Sequence, residues 1–241
     1  MRLGTTTTVE QSGALALLDS LHPPATVAVV IGSSGQILRS AAAGDLDVVI
    51  THAPSLEQRL LLAPGHASLK CPFVASSFAI VGPPADPAHI AGAASAAEAL
   101  RRIAGARATF VSRGDSSGTH VKELALWHGA GVSPSPRGRP WYLETGADQA
   151  ATLRVADERH GYALVDVPTF AKLKGVELRV LLAGDTALLN PYTLYVVRSP
   201  TAHPAAAAFA SWALTDWRAR LQALSFRPLA GGCAEPAPVE P

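Results

Sequence analysis

Short apolar runs of β-type alternate with amphipathic, helix-type stretches along most of this chain. In the first half, strands are predicted over residues 2–6, 26–31 and 46–50, and helices over 12–21 and 36–43. Each apolar run ends in a short polar turn, and the next helical stretch begins soon after it. This is the pattern of βαβ units, whose strands lie parallel in one sheet. The alternation predicts an α/β fold with mixed, mostly parallel sheets, in which the strand 26–31 is buried.

Two points later in the chain are typical of crossings between lobes. A strand ends at Gly82-Pro83-Pro84, and Asn190-Pro191-Tyr192 precedes another strand. A chain that leaves one lobe at the first point and returns at the second forms two α/β lobes. Ligands of such sheets bind at the carboxyl ends of the strands, so a ligand cleft is expected between the lobes. The predicted lobes are lobe I, residues 1–82 plus 191–241, and lobe II, residues 83–190.

The second half continues the alternation and adds two irregular segments. The proline-rich loop 133–140 is predicted to be exposed, and the tail 235–241 is predicted to be disordered. The remaining predicted elements are helices 96–104, 121–127, 148–158 and 205–224 and strands 78–81, 108–111, 141–143, 162–165, 178–182 and 193–197.

The composition limits the classes of function. Hydrophobic residues make up 48% of the chain and charged residues 16%, which is typical of a compact globular protein rather than a disordered one. The net charge of +1 provides no field that attracts nucleic acid or an acidic membrane surface. No apolar run approaches the roughly 18 residues that a membrane span needs. We therefore expect a soluble monomer with no nucleic-acid partner and no membrane insertion.

Neither the N-terminus nor the cysteines decide the compartment. Met1-Arg2-Leu3 is followed by a threonine run rather than by an apolar signal segment. Either an export signal has been removed from a periplasmic or otherwise extracytoplasmic protein, or the protein is cytoplasmic. Cys71 and Cys233 are far apart and form no Cys-x-x-Cys pair, so one disulfide and two free thiols both stay open.

The segment Ser112–His120 joins an apolar strand to a helix through glycines, hydroxyl groups and one arginine. The N–H groups and the positive dipole end of a helix N-terminus attract an anion. Serine and threonine hydroxyls add neutral donors, and Arg113 adds a forked cation. The alternative role for Arg113 is a surface ion pair with Asp115 or Glu123. The segment predicts capture of a small oxyanion.

Further turns carry hydroxyl groups at the same kind of junction. They are Thr5-Thr6-Thr7-Thr8, Ser33-Ser34-Gly35 and Glu144-Thr145-Gly146. Each has an alternative interpretation as an ordinary helix cap or turn. A cap needs one hydroxyl, however, and the threonine and serine turns supply several. Their recurrence favours a shared anion site.

An enzymatic alternative comes from the same loop. Gly114-Asp115-Ser116-Ser117-Gly118 matches the G-x-S-x-G nucleophile elbow, and Asp166 and His203 follow in the order serine, acid, base. A serine hydrolase using Ser116 is therefore an alternative, although no His-Gly-Gly-Gly segment precedes the elbow. The eight histidines show no metal-type spacing, and the chain has no G-x-x-x-x-G-K-[ST] phosphate loop. We predict no cofactor and no cation site.

Taken together, these turns resemble the tungstate-binding proteins of bacterial ABC importers, a branch of the periplasmic binding-protein superfamily. The match runs in family order over nearly the whole chain. The matching segments are Arg2–Thr8, Asp45–Pro54, Ser112–His120, Lys122–Trp127, Trp141–Gly146 and Asn190-Pro191-Tyr192. The resemblance implies a two-lobed fold of the class II periplasmic type that closes on a tetrahedral dianion.

The resemblance also implies which residues contact the ligand. They are Thr6, Thr7, Thr8, Ser34, Arg113, Ser117, Gly118 and Thr119, to which Thr145 is added as a further donor. The chain departs from the family pattern at Thr8-Val9, at Ser33-Ser34-Gly35, at Ser116 and at Ala147-Asp148-Gln149. The Arg113 loop also resembles that of phosphate-binding proteins, in which an aspartate, here Asp115, accepts a phosphate proton.

The expected function is capture of tungstate, with molybdate as the next candidate, by a solute-binding protein that delivers it to a membrane ABC permease. Tungstate, molybdate and sulfate carry no proton at neutral pH and need donors only, whereas hydrogenphosphate benefits from an acceptor such as Asp115. Phosphate- or sulfate-binding proteins of the same fold are therefore alternatives, as is a cytoplasmic oxyanion sensor or storage protein. No enzymatic activity is expected.

Overall fold

The computed structural model describes residues 1–135 and 139–237. The chain forms two compact units: unit 1 is Met1–Ser76 with Pro191–Pro241, and unit 2 is Ser77–Asn190. The sequence placed the first lobe boundary after residue 82. The strand that precedes this point is longer than predicted, and the units divide within it.

Strands and helices alternate along the chain, which confirms the predicted α/β fold class. The strands are β1 (Arg2–Thr6), β2 (Ala28–Gly32), β3 (Val48–Thr51), β4 (Ala67–Gly82), β5 (Phe110–Ser112), β6 (Tyr142–Glu144), β7 (Ala163–Asp166), β8 (Arg179–Leu182), β9 (Leu189–Val197) and β10 (Arg227–Pro228). The α-helices are α1 (Thr7–Gln11), α2 (Ser34–Ala42), α3 (Pro54–Glu57), α4 (Ala96–Ala106), α5 (Gly118–Gly129), α6 (Gln149–Glu158), α7 (Val167–Lys172), α8 (Ala206–Trp212) and α9 (Arg218–Leu221).

Unit 1 is built on a mixed sheet with the strand order β10-β4-β9-β3-β1-β2. Strand β1 is parallel to both β2 and β3, and β9 is antiparallel to β3. Helix α2 places Ile37, Leu38 and Ala41 on one buried face, at the spacing that a 3.6-residue period requires. This face packs with the strands and fixes the start of α2 next to the ends of β1 and β2.

Unit 2 contains a parallel pair, β5 with β6, and the antiparallel pairing of β7 and β8 with the second part of β4. Helix α5 is held by aromatic packing. The ring of Trp127 lies 5.0 Å from that of Phe110 and 6.2 Å from that of Tyr142, both with edge-on geometry. Because Phe110 is on β5 and Tyr142 is on β6, this cluster fixes the helix against both strands.

Two predictions for unit 1 were wrong. The helix expected over 12–21 is replaced by the short α1 and two 3-10 turns, Leu15–Leu17 and Asp19–Leu21, because Gly13 takes a left-handed φ of 84° that interrupts the helix. Strand β2 is exposed rather than buried, with Val29, Val30 and Ile31 between 37% and 43% exposed. It lies at the edge of the sheet and has β1 as its neighbour.

The C-terminal part of the chain is tied to β4. Helices α8 and α9 are joined by a π-helical segment, Ala213–Trp217, so the predicted long helix over 205–224 is present with a local irregularity. After it, β10 pairs with β4, and Cys71 forms a disulfide with Cys233. Of the two possibilities that the sequence left open, one disulfide or two free thiols, the structure has the disulfide.

Some predictions fall partly outside the described residues. These are the exposure of residues 136–138 within the loop 133–140 and the disorder of residues 238–241 in the tail. Within 1–135 and 139–237, no helix is long and apolar enough to cross a membrane.

Candidate anion-binding site

The predicted ligand residues of unit 1 come together at one edge of its sheet. Parallel pairing sets Thr6 of β1 opposite Gly32 of β2, and Thr5 of β1 opposite Ile50 of β3. The carboxyl ends of the three strands therefore meet at the same edge. Thr6 is the last residue of β1, and Thr7 and Thr8 begin α1 directly after it. Ser34 begins α2, two residues after the end of β2. We call these four residues the unit 1 donor cluster.

Two adjacent serines at the start of α2 have different hydrogen-bonding states. Ser33 is the cap: its Oγ accepts the N–H of Gln36 at 3.4 Å, and the side chain of Gln36 returns a 2.8 Å bond to the N–H of Ser33. This capping box bonds the N–H groups of Ser33 and Gln36 without using the side chain of Ser34. The Ser34 hydroxyl is fully buried and has no hydrogen-bond partner among the described residues. A buried hydroxyl without a partner is unfavourable, and an added acceptor would satisfy it.

The threonine run is a strand end followed directly by a short helix. Thr5 donates its hydroxyl to the carbonyl of Ile50 at 3.3 Å, so this threonine is occupied within the sheet. Thr6 caps α1 by accepting the N–H of Val9 at 3.4 Å. Thr7 is half-buried and Thr8 is fully buried. The run therefore places Thr6, Thr7 and Thr8 where β1 ends and α1 begins.

In unit 2, Arg113 follows the last residue of β5 and is buried, with 2% of its surface exposed. Its Nη2 lies 2.6 Å from Oδ2 of Asp115, and Oδ1 of Asp115 accepts the N–H of Ser117 at 3.0 Å. The ion pair with Asp115 that was considered from the sequence is present, but it is not at the surface. Asp115 thus orients the guanidinium and the start of α5 with its two oxygens.

The start of α5 supplies further donors. Ser117 is its N-cap and accepts the N–H of His120 at 3.2 Å. Gly118 and Thr119 are the first two helical residues, and N–H groups in a first turn have no partner within the helix. Both residues are buried, and the hydroxyl of Thr119 has no hydrogen-bond partner among the described residues. Arg113, Ser117, Gly118 and Thr119 form the unit 2 donor cluster.

Thr145 has a different position from the other predicted ligand residues. It follows β6, and its hydroxyl lies 2.8 Å from that of Thr152 and 3.3 Å from the carbonyl oxygen of Ser112. The hydroxyl oxygen of Thr145 also accepts the N–H of Ala147 at 3.2 Å. These contacts tie the ends of β5 and β6 together, so the Thr145 hydroxyl is engaged with the chain itself.

Backbone conformation in the Arg113 loop leads to a stability prediction. Gly114 has φ +62°, and a Cβ added there would lie 2.8 Å from Cβ of Glu144. Gly114→Ala is therefore expected to lower the free energy of unfolding by about 1–3 kcal/mol, because a left-handed L-residue and a close contact are both unfavourable. Chemical denaturation measures this.

Gly105 in α4 provides the matched control. A Cβ there would meet nothing within 4 Å, and the helical backbone accepts alanine. Gly105→Ala is expected to stabilise the protein by up to about 1 kcal/mol. Equal effects at the two glycines would contradict the strained loop.

The hydrolase alternative lacks the geometry that it needs. In a triad the histidine donates its Nδ1 proton to the acid. Here Nδ1 of His203 accepts the N–H of Ala205 at 3.2 Å, and Oδ1 of Asp166 accepts an N–H of Asn190 at 2.8 Å. The N–H of Ser116 donates to Nδ1 of His120, which is bonded to the loop backbone rather than poised as a base for the hydroxyl.

Sequence reasoning did not predict the hydrogen bonds of two buried carboxyl groups. In unit 1, Glu57 accepts the hydroxyls of Thr51 and Tyr195, each at 2.8 Å, and burial raises its pKa. In unit 2, Glu123 accepts the hydroxyl of Tyr142 at 2.7 Å, and burial raises its pKa to about 7. The available signal for Glu123 was its place on the buried face of α5, one helical turn from Trp127.

Comparisons with known proteins define the class to which this fold and these clusters belong. A family model described as a PBP superfamily domain matches residues 2–216. A protein of Haloferax volcanii named as an anion-binding protein of an ABC transporter is 38% identical over 216 residues. That match covers 85% of this chain and 61% of the relative, so the chain spans less than two thirds of that relative's length.

Two further relatives narrow the class. The tungstate-binding protein TupA of Peptoclostridium acidaminophilum is 32% identical, over 89% of this chain and 77% of its own length. The crystal structure of the tungstate ABC transporter from Geobacter sulfurreducens superimposes with a TM-score of 0.78 and 39% identity, covering 89% of this chain and 93% of that one. The chain belongs to the PBP superfamily and, within it, to the family of the tungstate-binding proteins TupA. The resemblance seen in the sequence is confirmed.

Proposed function

We propose that this protein is a solute-binding protein that captures one tetrahedral oxyanion, tungstate or molybdate, for import by an ABC transporter. The observation that carries the proposal is the pair of buried hydroxyls without partners, Ser34 Oγ and Thr119 Oγ1. Each belongs to the first turn of a helix that follows a parallel strand, where anions are favoured. The buried guanidinium of Arg113, which is paired with Asp115, is a donor of charge-assisted hydrogen bonds, and these favour an anion.

The proposed ligand contacts are hydrogen-bond donors. Donors favour an anion that carries no proton, because a protonated anion also needs an acceptor. The unit 1 cluster supplies the hydroxyls of Thr6, Thr7, Thr8 and Ser34, and the unit 2 cluster supplies Arg113, Ser117, Gly118 and Thr119. Asp115 is the acceptor that hydrogenphosphate would need. Its two oxygens already accept from Arg113 and from Ser117, so tungstate, molybdate and sulfate suit the clusters better than phosphate. Thr145 holds the loop from which the unit 2 donors extend.

Import requires a partner and a compartment. The Haloferax and Geobacter relatives are named for ABC transporters, which supports a membrane permease as the partner. The disulfide between Cys71 and Cys233 supports a location outside the cytoplasm, because disulfides persist in oxidising compartments. The family consists of binding proteins, and we propose binding and release without catalysis, by a monomer that needs no cofactor.

A thermal-shift panel of tungstate, molybdate, sulfate and phosphate tests this function. We expect tungstate or molybdate to raise the unfolding temperature most. A ligand at a hundred times its Kd adds about 2.7 kcal/mol to the free energy of unfolding. Stabilisation by phosphate and not by tungstate would show that Asp115 accepts a proton, and no shift with any anion would refute the proposal.

Two variants connect the panel to the buried hydroxyl. Ser34→Ala is expected to weaken tungstate binding without lowering the stability of the free protein, because the hydroxyl it removes has no partner. Ser20→Ala is the control, since Ser20 is exposed and its hydroxyl bonds to the carbonyl of Leu17. Equal affinities of the two variants would remove Ser34 from the site.

A further inference from the structure

The carboxyl group of Glu123 lies where the parts of the unit 2 donor cluster join. It is on α5, the helix whose first turn contains Gly118 and Thr119. Its Oε1 accepts the hydroxyl of Tyr142 on β6 at 2.7 Å, and it is also hydrogen-bonded to the hydroxyl of Ser112, the last residue of β5. One carboxyl group therefore connects a helix and two strands inside unit 2.

The network continues into the loop that presents the arginine. The oxygen of Ser112 accepts the N–H of Gly114 at 3.3 Å, and the residue between them is Arg113. A change at Glu123 thus reaches the Arg113 backbone through one hydroxyl group. Arg113 itself is held by Asp115, so the network sets the place of its backbone while Asp115 sets the direction of its side chain.

We propose that Glu123 is a positioning residue for the anion-binding loop and that it takes up a proton when the anion binds. The proposal rests on the proposed function, since it concerns the same donor cluster. Glu123 is 2% exposed, so its charge is screened little by solvent. A dianion held by the same cluster repels a carboxylate and leaves a neutral carboxylic acid unaffected. Binding therefore favours the protonated form.

The charged and buried surroundings of Glu123 favour proton uptake by its carboxylate near neutral pH. Burial is the main cause that raises its pKa, to about 7, and the charge of Glu144 on β6 acts in the same direction. His120, one turn earlier on α5, has a pKa lowered by burial, which favours its neutral form. On α4 and β7, which pack against α5, the charged side chains are Glu98, Arg101 and Arg102 at the surface of α4 and Asp166 on β7. Lys122, next to Glu123 on α5, is half-buried and has a pKa lowered by burial, and the ion pair of Arg113 with Asp115 lies in the loop before the helix.

The test compares tungstate binding to the wild type, Glu123→Gln and Glu123→Leu by isothermal titration between pH 7 and pH 9. For the wild type we expect the Kd to rise about threefold to tenfold over this range. Titrations in two buffers with different heats of ionisation should also show proton uptake. Glu123→Gln keeps an acceptor for Tyr142 and a donor for Ser112, so we expect wild-type affinity at pH 7, no pH dependence and no proton uptake. Glu123→Leu is expected to bind at least tenfold more weakly.

If Glu123→Leu folds poorly, the pH dependence of the free energy of unfolding, measured without ligand, still tests the proposal. The raised pKa means that the wild type loses stability as pH rises from the ordinary glutamate value towards 7, and Glu123→Gln should lack this loss. Asp86→Asn is the matched control, because Asp86 in the same unit also accepts a tyrosine hydroxyl, from Tyr162 at 2.8 Å, and its pKa is lowered. It should leave the pH profile of binding unchanged.

The outcomes separate the two proposals. If the wild type does not bind tungstate, the proposed function fails and this inference fails with it. If the wild type binds and Glu123→Gln shows the same pH profile and proton uptake, Glu123 does not exchange the proton and the inference alone is overturned. If Glu123→Leu is folded by circular dichroism and binds as well as the wild type, Glu123 does not position the loop.

Discussion

Replacing Arg113 with glutamine is expected to weaken tungstate binding by at least tenfold. A charge-assisted hydrogen bond contributes about 1.5–3 kcal/mol, and about 1.4 kcal/mol corresponds to a factor of ten in Kd. The variant also leaves the Asp115 carboxylate without the cation to which it is bonded at 2.6 Å. An unneutralised carboxylate in the loop would repel the incoming dianion. Isothermal titration at a fixed ionic strength measures the loss.

Two further arginine substitutions make the result specific. Arg113→Lys keeps the charge but loses the forked geometry, so its affinity should lie between those of the wild type and Arg113→Gln. Arg102→Gln breaks the partly exposed ion pair with Glu98 in the same unit and should leave the Kd unchanged. An unchanged affinity in Arg113→Gln would remove this arginine from the proposed site.

Removing the disulfide by replacing Cys71 and Cys233 with alanine is expected to lower the free energy of unfolding by about 2–4 kcal/mol. The bond closes a loop with a sequence separation of 162, so without it the unfolded chain gains conformational freedom. The backbone bonds between Lys70 and Ala234, at 2.8 and 3.1 Å, remain in the variant and keep the tail in place. Urea denaturation under non-reducing conditions measures the change.

A reducing agent supplies the control for this prediction. It should destabilise the wild type to the level of the double alanine variant and have no effect on the variant itself. A wild type that is insensitive to a reductant able to open the bond would show that the disulfide contributes little. Since neither cysteine belongs to a donor cluster, the tungstate Kd at low temperature should be the same for both proteins.

Patterns of residue type predicted the fold class and most element positions. Strand β1 has the predicted bounds, and the Ser112–His120 segment is the predicted strand–loop–helix junction. Periodicity could not show which strand lies at the sheet edge, because burial of β2 depends on strand order and not on its own residues. The prediction of a helix over 12–21 was wrong because it relied on the leucine spacing and ignored Gly13. The left-handed conformation of Gly13 interrupts the helix.

The contacts of the candidate site residues could be anticipated from residue type at some positions and not at others. Arginine before a helix start indicated an anion, which stays a prediction, and the structure shows that Arg113 is buried. Thr145 also follows a strand, yet its hydroxyl contacts Thr152 and the loop backbone, which only the pairing of β5 with β6 brings close. From the sequence Glu123 was considered only as an ion-pair partner of Arg113, because the tyrosine that binds it lies 19 positions away.

Of the neighbouring residues Ser33 and Ser34, the first caps helix α2 together with Gln36, and the second is the proposed ligand residue. The cap of helix α2 does not use the side chain at position 34, because Ser33 and Gln36 form it between them. A small side chain of different polarity at this buried position can therefore change which anion is preferred while the cap of α2 stays in place.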